Sequence, residues 1–291
     1  MPPRSHFILV FFFCCGPTLA QVERLPSKLK VSDTELGSCY EEATGQFIGS
    51  ELVRSHVLIS PGDRYRAYTE VEAVATKSKP LSDWACASTS RLFVAARDEP
   101  FRQVLVVEPS PEALGNTLGI VDWSPDGHTL LFAQGAFQWA SEGGESLVRF
   151  FDASRGTLSD PQLVQQAFRK HMGKSCAAVF EPLGFALDGE IALTAGPFYA
   201  PEADQPEEDS CVRQKGLWLF DSRAQTWSVL PEHYQVQRFG QYLSDKQTGA
   251  ATPQLTRGAT PPADRPAWPS APEQNTPPAP PPPATRKSPR R

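Results

Sequence analysis

Residues 120–132 read Ile120-Val121-Asp122-Trp123-Ser124-Pro125-Asp126-Gly127-His128-Thr129-Leu130-Leu131-Phe132. Two apolar runs flank a four-residue turn. Pro125 presets φ for the turn, Asp126 bonds backbone amides, and Gly127 takes the positive φ that the turn needs. The pattern therefore predicts a β-hairpin.

Two further stretches repeat this hairpin. They are Val57-Leu58-Ile59-Ser60-Pro61-Gly62-Asp63-Arg64-Tyr65-Arg66-Ala67-Tyr68 and Leu183-Gly184-Phe185-Ala186-Leu187-Asp188-Gly189-Glu190-Ile191-Ala192-Leu193. Ser60 precedes Ser124 by 64 residues, and Ser124 precedes Ala186 by 62. Self-similarity at a fixed period is typical of repeat architectures.

Each hairpin is followed by an insertion and a second pair of short strands. The insertions are Lys77–Ala87, Gln134–Glu145 and Pro197–Gln214. The later strands are Arg91–Ala96 with Gln103–Val107, Leu147–Asp152 with Pro161–Val164, and Gly216–Asp221 with Thr226–Leu230. Four antiparallel strands per unit is the composition of a propeller blade. One stretch is ambiguous, because Ser159–Lys170 also predicts a short connecting helix with Pro161 at its start.

The turn Trp123-Ser124-Pro125-Asp126-Gly127 resembles the blade signature of the TolB-like, WD40-like β-propeller repeat family, and the other two turns are degenerate copies. The resemblance extends over residues 45–235 and implies a binding surface around a central channel. We expect an all-β fold, a propeller-like array of three to four antiparallel four-stranded units with a disordered C-terminal tail. A fourth unit would combine Ser38–Leu52 with Tyr234–Ser244. An open three-unit wedge and an irregular sandwich are the alternatives.

Residues 1–20 are predicted to be a cleavable signal peptide. Arg4 is the positive n-region, Phe7–Gly16 is the apolar h-region, and the small residues Thr18 and Ala20 precede cleavage before Gln21. A membrane anchor and a lipoprotein signal are alternatives. Ten apolar residues reach only about 15 Å as a helix, against a hydrocarbon core of roughly 30 Å, which favours the cleavable signal.

The composition changes near residue 250. We expect residues 21–249 to form the repeat domain and residues 250–291 to be a disordered, proline-rich, basic tail. Residues 253–291 hold thirteen of the 29 prolines and carry a net charge of +4, whereas residues 21–252 carry −10. The tail is predicted either to lie on its own domain or to contact an anionic envelope surface. The acidic body argues against nucleic acid as a partner.

Four cysteines remain after the signal, and an even number in an exported chain favours two disulfides. Cys86 follows Asp63 by 23 residues and Cys211 follows Asp188 by 23, so the two occupy the same place in their repeats. Cys39 and Cys176 both lie upstream of their hairpins. The repeat therefore predicts the pairs Cys39–Cys86 and Cys176–Cys211, and a secreted or periplasmic location.

The sequence contains none of the motifs Gly-x-Ser-x-Gly, Walker A, Gly-x-Gly-x-x-Gly or His-Glu-x-x-His. We therefore expect no catalytic residue, no cofactor and no metal. The acidic stretch Pro201–Asp209 offers oxygen ligands for Ca²⁺ but lacks the EF-hand order, so solvation is the favoured interpretation.

Aromatic residues follow the second strand of two units. Phe137 and Trp139 in the second unit match Phe198 and Tyr199 in the third. They predict either a recognition rim built from the elongated loops or packing between units.

The predicted function is that of an exported binding module, with a protein or glycan ligand and no transmembrane segment in the mature chain. A cell-envelope attachment protein that uses its tail is one alternative. A secreted hydrolase acting on polysaccharide or peptide is another, and it requires Asp and Glu side chains to meet at one mouth of the array.

Overall fold

The computed structural model describes residues 22–24, 27–31, 38–40, 46–78, 84–110, 114–137, 144–173, 176–197, 210–231, 234 and 236–243. Within these ranges the chain forms three β-sheets and one α-helix, α1 (Leu163–Met172). This confirms the predicted all-β class. No helix in the described ranges is long and apolar enough to cross a bilayer. The signal peptide (1–20) and the tail (250–291) lie outside the described residues.

The first sheet has eight strands. They are β1 (Val22–Arg24), β2 (Lys28–Val31), β3 (Glu51–Arg54), β4 (Leu58–Ile59), β5 (Tyr65–Ser78), β6 (Trp84–Ala96), β7 (Arg102–Val107) and β16 (Gln241–Tyr242). The meander β4-β5-β6-β7 is the predicted first unit, and all of its pairs are antiparallel. β3 and β1 also pair with β5, farther along the edge that β4 occupies.

The second and third sheets are four-stranded antiparallel meanders. The second consists of β8 (Gly115–Trp123), β9 (Thr129–Phe137), β10 (Gly144–Asp152) and β11 (Thr157–Leu158). The third consists of β12 (Val179–Phe185), β13 (Ile191–Gly196), β14 (Gly216–Asp221) and β15 (Thr226–Val229). The three four-stranded units are thus present.

The repeated turn is held by its own side chains. Ser124 Oγ accepts a hydrogen bond from the N–H of Thr129 at 2.9 Å, and Asp126 Oδ1 accepts one from the N–H of His128 at 3.0 Å. In the first unit, Ser60 Oγ likewise accepts the N–H of Tyr65 at 2.9 Å. These bonds satisfy the donors that a tight turn leaves unpaired, which explains the recurring residues.

Two sequence expectations are corrected by the strand bounds. Residues 77–78 and 84–87 of the predicted insertion Lys77–Ala87 belong to β5 and β6, whose ladder reaches the pair Lys77–Trp84, and the rest of the insertion lies outside the described residues. The predicted strand Pro161–Val164 is wrong, because α1 begins there and β11 is the fourth strand of the second unit. The helix alternative for this stretch is correct in kind. Its end lies at Gly173, whose left-handed φ of 68° caps the helix.

Two apolar cores lie between neighbouring sheets. Trp123 is fully buried between the first and second sheets, stacks on Tyr65 with ring centroids 5.9 Å apart, and donates its indole N–H to the carbonyl of Leu58 at 3.3 Å. Phe168 of α1 is fully buried between the second and third sheets. Its ring meets those of Phe180, Trp218 and Trp227 edge-on.

The segment 236–243, here named the closing segment, runs past the first strand of all three units. Gln237 forms a bridge with Phe185 of β12. The N–H groups of Phe239 and Gly240 bond the carboxylate of Asp122 on β8. β16 then pairs with β4. One short segment thereby joins the three units.

The fourth unit that the sequence suggested does not form within the described ranges. Residues 51–52 belong to β3, and β3 and β16 both pair with strands of the first sheet. The hydrogen-bonding edges of β4 and β5 are therefore occupied by the segments expected to build the extra unit. Closure of the array into a ring stays a prediction.

The two disulfides join Cys39 to Cys86 and Cys176 to Cys211, which is the pairing that the repeat predicts. The first ties residues 38–40 to the β5–β6 hairpin. The second ties the connection after α1 to the chain entering β14. All four cysteines are buried.

Candidate functional site

The hairpin turns of the three units meet at one end of the molecule. A Cβ atom at Gly127, whose φ is +74°, would lie 2.8 Å from the carbonyl oxygen of Pro61, so the turns of the first two units are in close contact. An Nη1 atom of Arg64 lies 2.8 Å from Nε2 of His128 across the same junction. We name this end, with the turns 60–64, 124–128, 186–190 and 221–225, the turn face.

A cleft of about 220 Å³ opens on the turn face between the second and third units. The second unit contributes its hairpin turn, and the third contributes both of its turns. The lining residues are Ser124, Pro125, Asp126, Thr129, Phe185, Leu187, Asp188, Gly189, Glu190, Asp221, Ser222 and Arg223. The size suits a single side chain or one sugar ring, because sites for drug-sized ligands occupy about 300–1,000 Å³.

Three of the carboxylates in the cleft are held by their own turns. Asp126 Oδ1 accepts the N–H of His128, and Asp188 Oδ1 accepts the N–H of Glu190 at 3.2 Å. Asp221 Oδ1 accepts the N–H groups of Arg223 and Ala224 at 2.8 and 3.0 Å. These backbone hydrogen bonds fix the positions of the three carboxylates.

The acidic side chains of the cleft differ in their electrostatics. Burial raises the pKa of Glu190, and the nearby carboxylates of Asp188 and Asp221 raise it further. Burial also raises the pKa of Asp126, but the hydroxyl of Ser124, the N–H of His128 and the nearby side chains of His128 and Arg223 outweigh that effect and leave the pKa below its ordinary value. Glu190 is therefore the carboxyl most ready to carry a proton.

An apolar side chain stands at the rim of this polar cleft. Leu187, which occupies the place of Pro61 and Pro125 in the other turns, is 75% exposed. Arg223 lies opposite, on the last turn of the third unit. The cleft thus offers carboxylates, one guanidinium and one apolar contact, which are groups suited to a polar ligand with a hydrophobic edge.

No group of three His, Cys, Asp or Glu side chains is placed to hold a metal ion among the described residues. The acidic stretch 201–209 falls outside them.

The predicted aromatic rim is described at one of its four positions. Phe137 ends β9, at the opposite end of the sheet from the turn face, and its ring lies over Gly115, where a Cβ atom would clash with it. This contact favours the packing interpretation for Phe137. Trp139, Phe198 and Tyr199 lie outside the described residues, so the rim as a whole stays a prediction.

The sequence motifs did not indicate Leu187, Glu190, Asp221 or Arg223 as site residues. A signal was present, because Phe151-Asp152 and Phe220-Asp221 end the third strands of two units in the same way. Adjacent turns of an antiparallel meander alternate between its two ends, so the first and third turns share an end. Combined with the hairpin repeat, that spacing indicates a common face.

No family model matches the sequence, and no curated protein matches it. Among solved structures, the apo form of the isopeptidase AtxE2 is similar to this chain with 16% sequence identity and a TM-score of 0.35. The likeness covers 60% of this chain and 28% of the isopeptidase chain.

Proposed function

We propose that this chain is an exported binding protein, built as a propeller-like array of three units, which binds a protein or glycan ligand on its turn face. The observation that carries the proposal is the convergence of the hairpin turns on one end, with a polar cleft between the second and third units. Binding residues concentrate on loops that a rigid scaffold positions, and these turns are positioned by three sheets.

Export is supported by the cysteines. All four cysteines of the predicted mature chain are engaged in disulfides, and disulfides form and persist in oxidising compartments. The signal-like residues 1–20 agree with that setting. The expected mature protein begins at Gln21.

The propeller-like arrangement is supported by the order of the units and by the closing segment. The first and second sheets contact each other through β6 and β8, and the second and third through β8, β10 and β12. The first strands β4, β8 and β12 all contact the closing segment. One segment that contacts the first strands of all three units supports a propeller-like array.

The proposal is tested by screening the purified mature chain against arrays of glycans and peptides. The matched variants are Glu190→Gln and Leu187→Ala in the cleft and Glu108→Gln, an exposed carboxylate that follows β7 at the end of the first sheet away from the turn face. We expect at least one ligand class whose binding falls at least tenfold in both cleft variants and is retained by Glu108→Gln. Absence of any ligand, or binding that ignores both cleft substitutions, would refute the proposal.

One observation favours a second candidate, a hydrolase. Glu190 has a raised pKa beside the Asp188 carboxylate, which is the pairing of a proton donor with an ionised partner that glycoside hydrolysis uses. Under this alternative Glu190 would act as the general acid. An assay of polysaccharide hydrolysis separates the binding protein from the hydrolase. If the chain is a hydrolase, Glu190→Gln abolishes turnover but retains ligand binding. A binding protein shows no turnover in either form.

A further inference from the structure

The edge of β10 between Gly144 and Val148 has no strand beside it in the described part of the chain. β9 pairs with all nine residues of β10 on one side. On the other side β11 pairs only with Phe151 and Asp152. The corresponding strand β7 pairs with five residues of β6, and β15 with four residues of β14. The fourth strand of the second unit is therefore cut short, because the chain turns away into α1.

The backbone groups at this edge point outward at every second residue. The N–H of Ser159 donates to the carbonyl of Phe150 at 2.9 Å, and the N–H of Phe150 donates to Ser159 Oγ at 3.0 Å, so the groups of Phe150 face away from β9. By the alternation of an antiparallel ladder, Ser146 and Val148 face the same way. Within the described residues, the outward N–H and C=O groups of Ser146 and Val148 have no hydrogen-bond partner.

A cleft of about 280 Å³ lies along this edge. All five residues from Gly144 to Val148 line one wall of this cleft. The other wall consists of the start of α1 and of residues 177–180, which lead into and begin β12. The wall is apolar, with Val148, Val164 and Phe180 buried and Val179 40% exposed. Walls on both sides leave room for one extended chain, whereas the edge of a second folded sheet would meet α1.

Charge at the cleft indicates which side chain the occupant carries. The Nε of Arg169 donates to the carbonyl of Cys176 at 2.7 Å, which fixes the guanidinium at the cleft wall. Its terminal nitrogens have no partner in the described part of the chain. The nearby carboxylate of Glu145 already accepts a hydrogen bond from Gln162 Nε2 at 3.2 Å. An acidic side chain on the occupant would pair with Arg169.

We propose that this edge binds a single extended peptide segment of a partner protein by strand addition. The segment carries apolar side chains at alternate positions and an acidic residue at one end. Its backbone completes the shortened fourth strand through the outward groups of Ser146 and Val148, and its apolar side chains pack on the exposed side chain of Val179 at the cleft wall. The site is distinct from the turn face, since no residue lines both clefts.

The test uses a capped hexapeptide that alternates valine and threonine and ends in aspartate. Hydrogen exchange of the full mature chain is measured with and without this peptide, and its affinity is measured by calorimetry. We expect slower exchange of the Ser146 and Val148 amides on binding. Ser146→Pro, which removes one outward donor, weakens affinity at least tenfold. Arg169→Gln weakens binding of this peptide but not of the one with threonine in place of aspartate.

The control is Val229→Pro, which places proline at an exposed position of β15 whose N–H points away from β14. It retains peptide binding. If Ser146→Pro fails to fold, the wild-type chain is tested with a hexapeptide methylated at alternate backbone nitrogens, and binding is lost. The proposal is overturned if the peptide does not bind, or if it binds without slowing exchange of the Ser146 and Val148 amides. It is also overturned if the affinity is unchanged in both Ser146→Pro and Arg169→Gln. The assay leaves the turn face untouched, so the two proposals fail separately.

Discussion

The buried carboxylate of Asp122 accepts a hydrogen bond from the backbone N–H of Gly240 at 2.7 Å, across 118 residues of sequence. Oδ2 of the same carboxylate lies 3.0 Å from the N–H of Phe239. Asp122 belongs to the second unit, while the closing segment that contains Gly240 also contacts the first and third. This one side chain therefore couples the three units.

Replacement of Asp122 by Asn should destabilise the whole domain by about 2–4 kcal/mol, because both oxygens accept backbone N–H groups and an amide supplies one acceptor. Asp221→Asn is the matched control. Only Oδ1 of Asp221 accepts backbone N–H groups, and both donors belong to its own turn. The side-chain oxygen of an asparagine can accept the same two hydrogen bonds. Urea unfolding measures both. Equal losses in the two variants would show that Asp122 does not couple the units.

Gly240→Ala should destabilise by about 1–3 kcal/mol through overpacking. A Cβ atom there would lie 3.0 Å from Asp122 Oδ1 and from Leu58 Cγ, both of which are held in buried positions. Gly196→Ala serves as the control, since its Cβ would have its nearest neighbours at 3.9 Å. Thermal and urea unfolding should separate the two variants clearly. If Gly240→Ala is neutral, the closing segment is not packed as described.

Tyr68 should ionise late in an alkaline titration. Burial, and next the charge of Glu70, raise its pKa from 10.0 to about 12, while Arg54 opposes the change. Because the folded pKa lies above the unfolded one, the phenol stabilises the fold below pH 10 and that contribution is lost as the pH rises towards 12. Tyrosinate absorbance should show a late step that Tyr68→Phe removes. A folded chain whose tyrosines all ionise near pH 10 would contradict this.

Each disulfide should contribute about 4 kcal/mol by the loop-entropy relation, since the bridges close loops of 47 and 35 residues. The double variants Cys39→Ser with Cys86→Ser, and Cys176→Ser with Cys211→Ser, are each compared with wild type by urea unfolding. Non-reducing peptide mapping checks the pairing itself. Recovery of a peptide joining Cys86 to Cys176, or Cys39 to Cys211, would refute it.

The repeat in the sequence predicted much of this fold. The turn at Ser124 and its two copies marked three units, and the shared position of Cys86 and Cys211 predicted the disulfides. Both are local signals, since a turn is specified by residues that bond one another across two to five positions. The all-β class follows from the same hairpins.

The sequence did not predict the contacts that join the units. Asp122 meets Phe239 and Gly240 across more than a hundred residues, and no periodic pattern marks such a pair. The shortened fourth strand was also hidden, since Pro161–Val164 fits both a strand and a helix, and packing of Phe168 against Trp227 favours the helix. The cleft depends on the same assembly, because its walls come from two units.

Amide hydrogen exchange of the wild-type chain, measured with and without the ligand that binds most tightly in the arrays, tests binding at the turn face most directly. The proposed function predicts slower amide exchange in residues 124–129, 186–190 and 221–225 on binding, with the strands of the first sheet unchanged. Protection confined to other segments, with these three exchanging at the rate of the free protein, would contradict it.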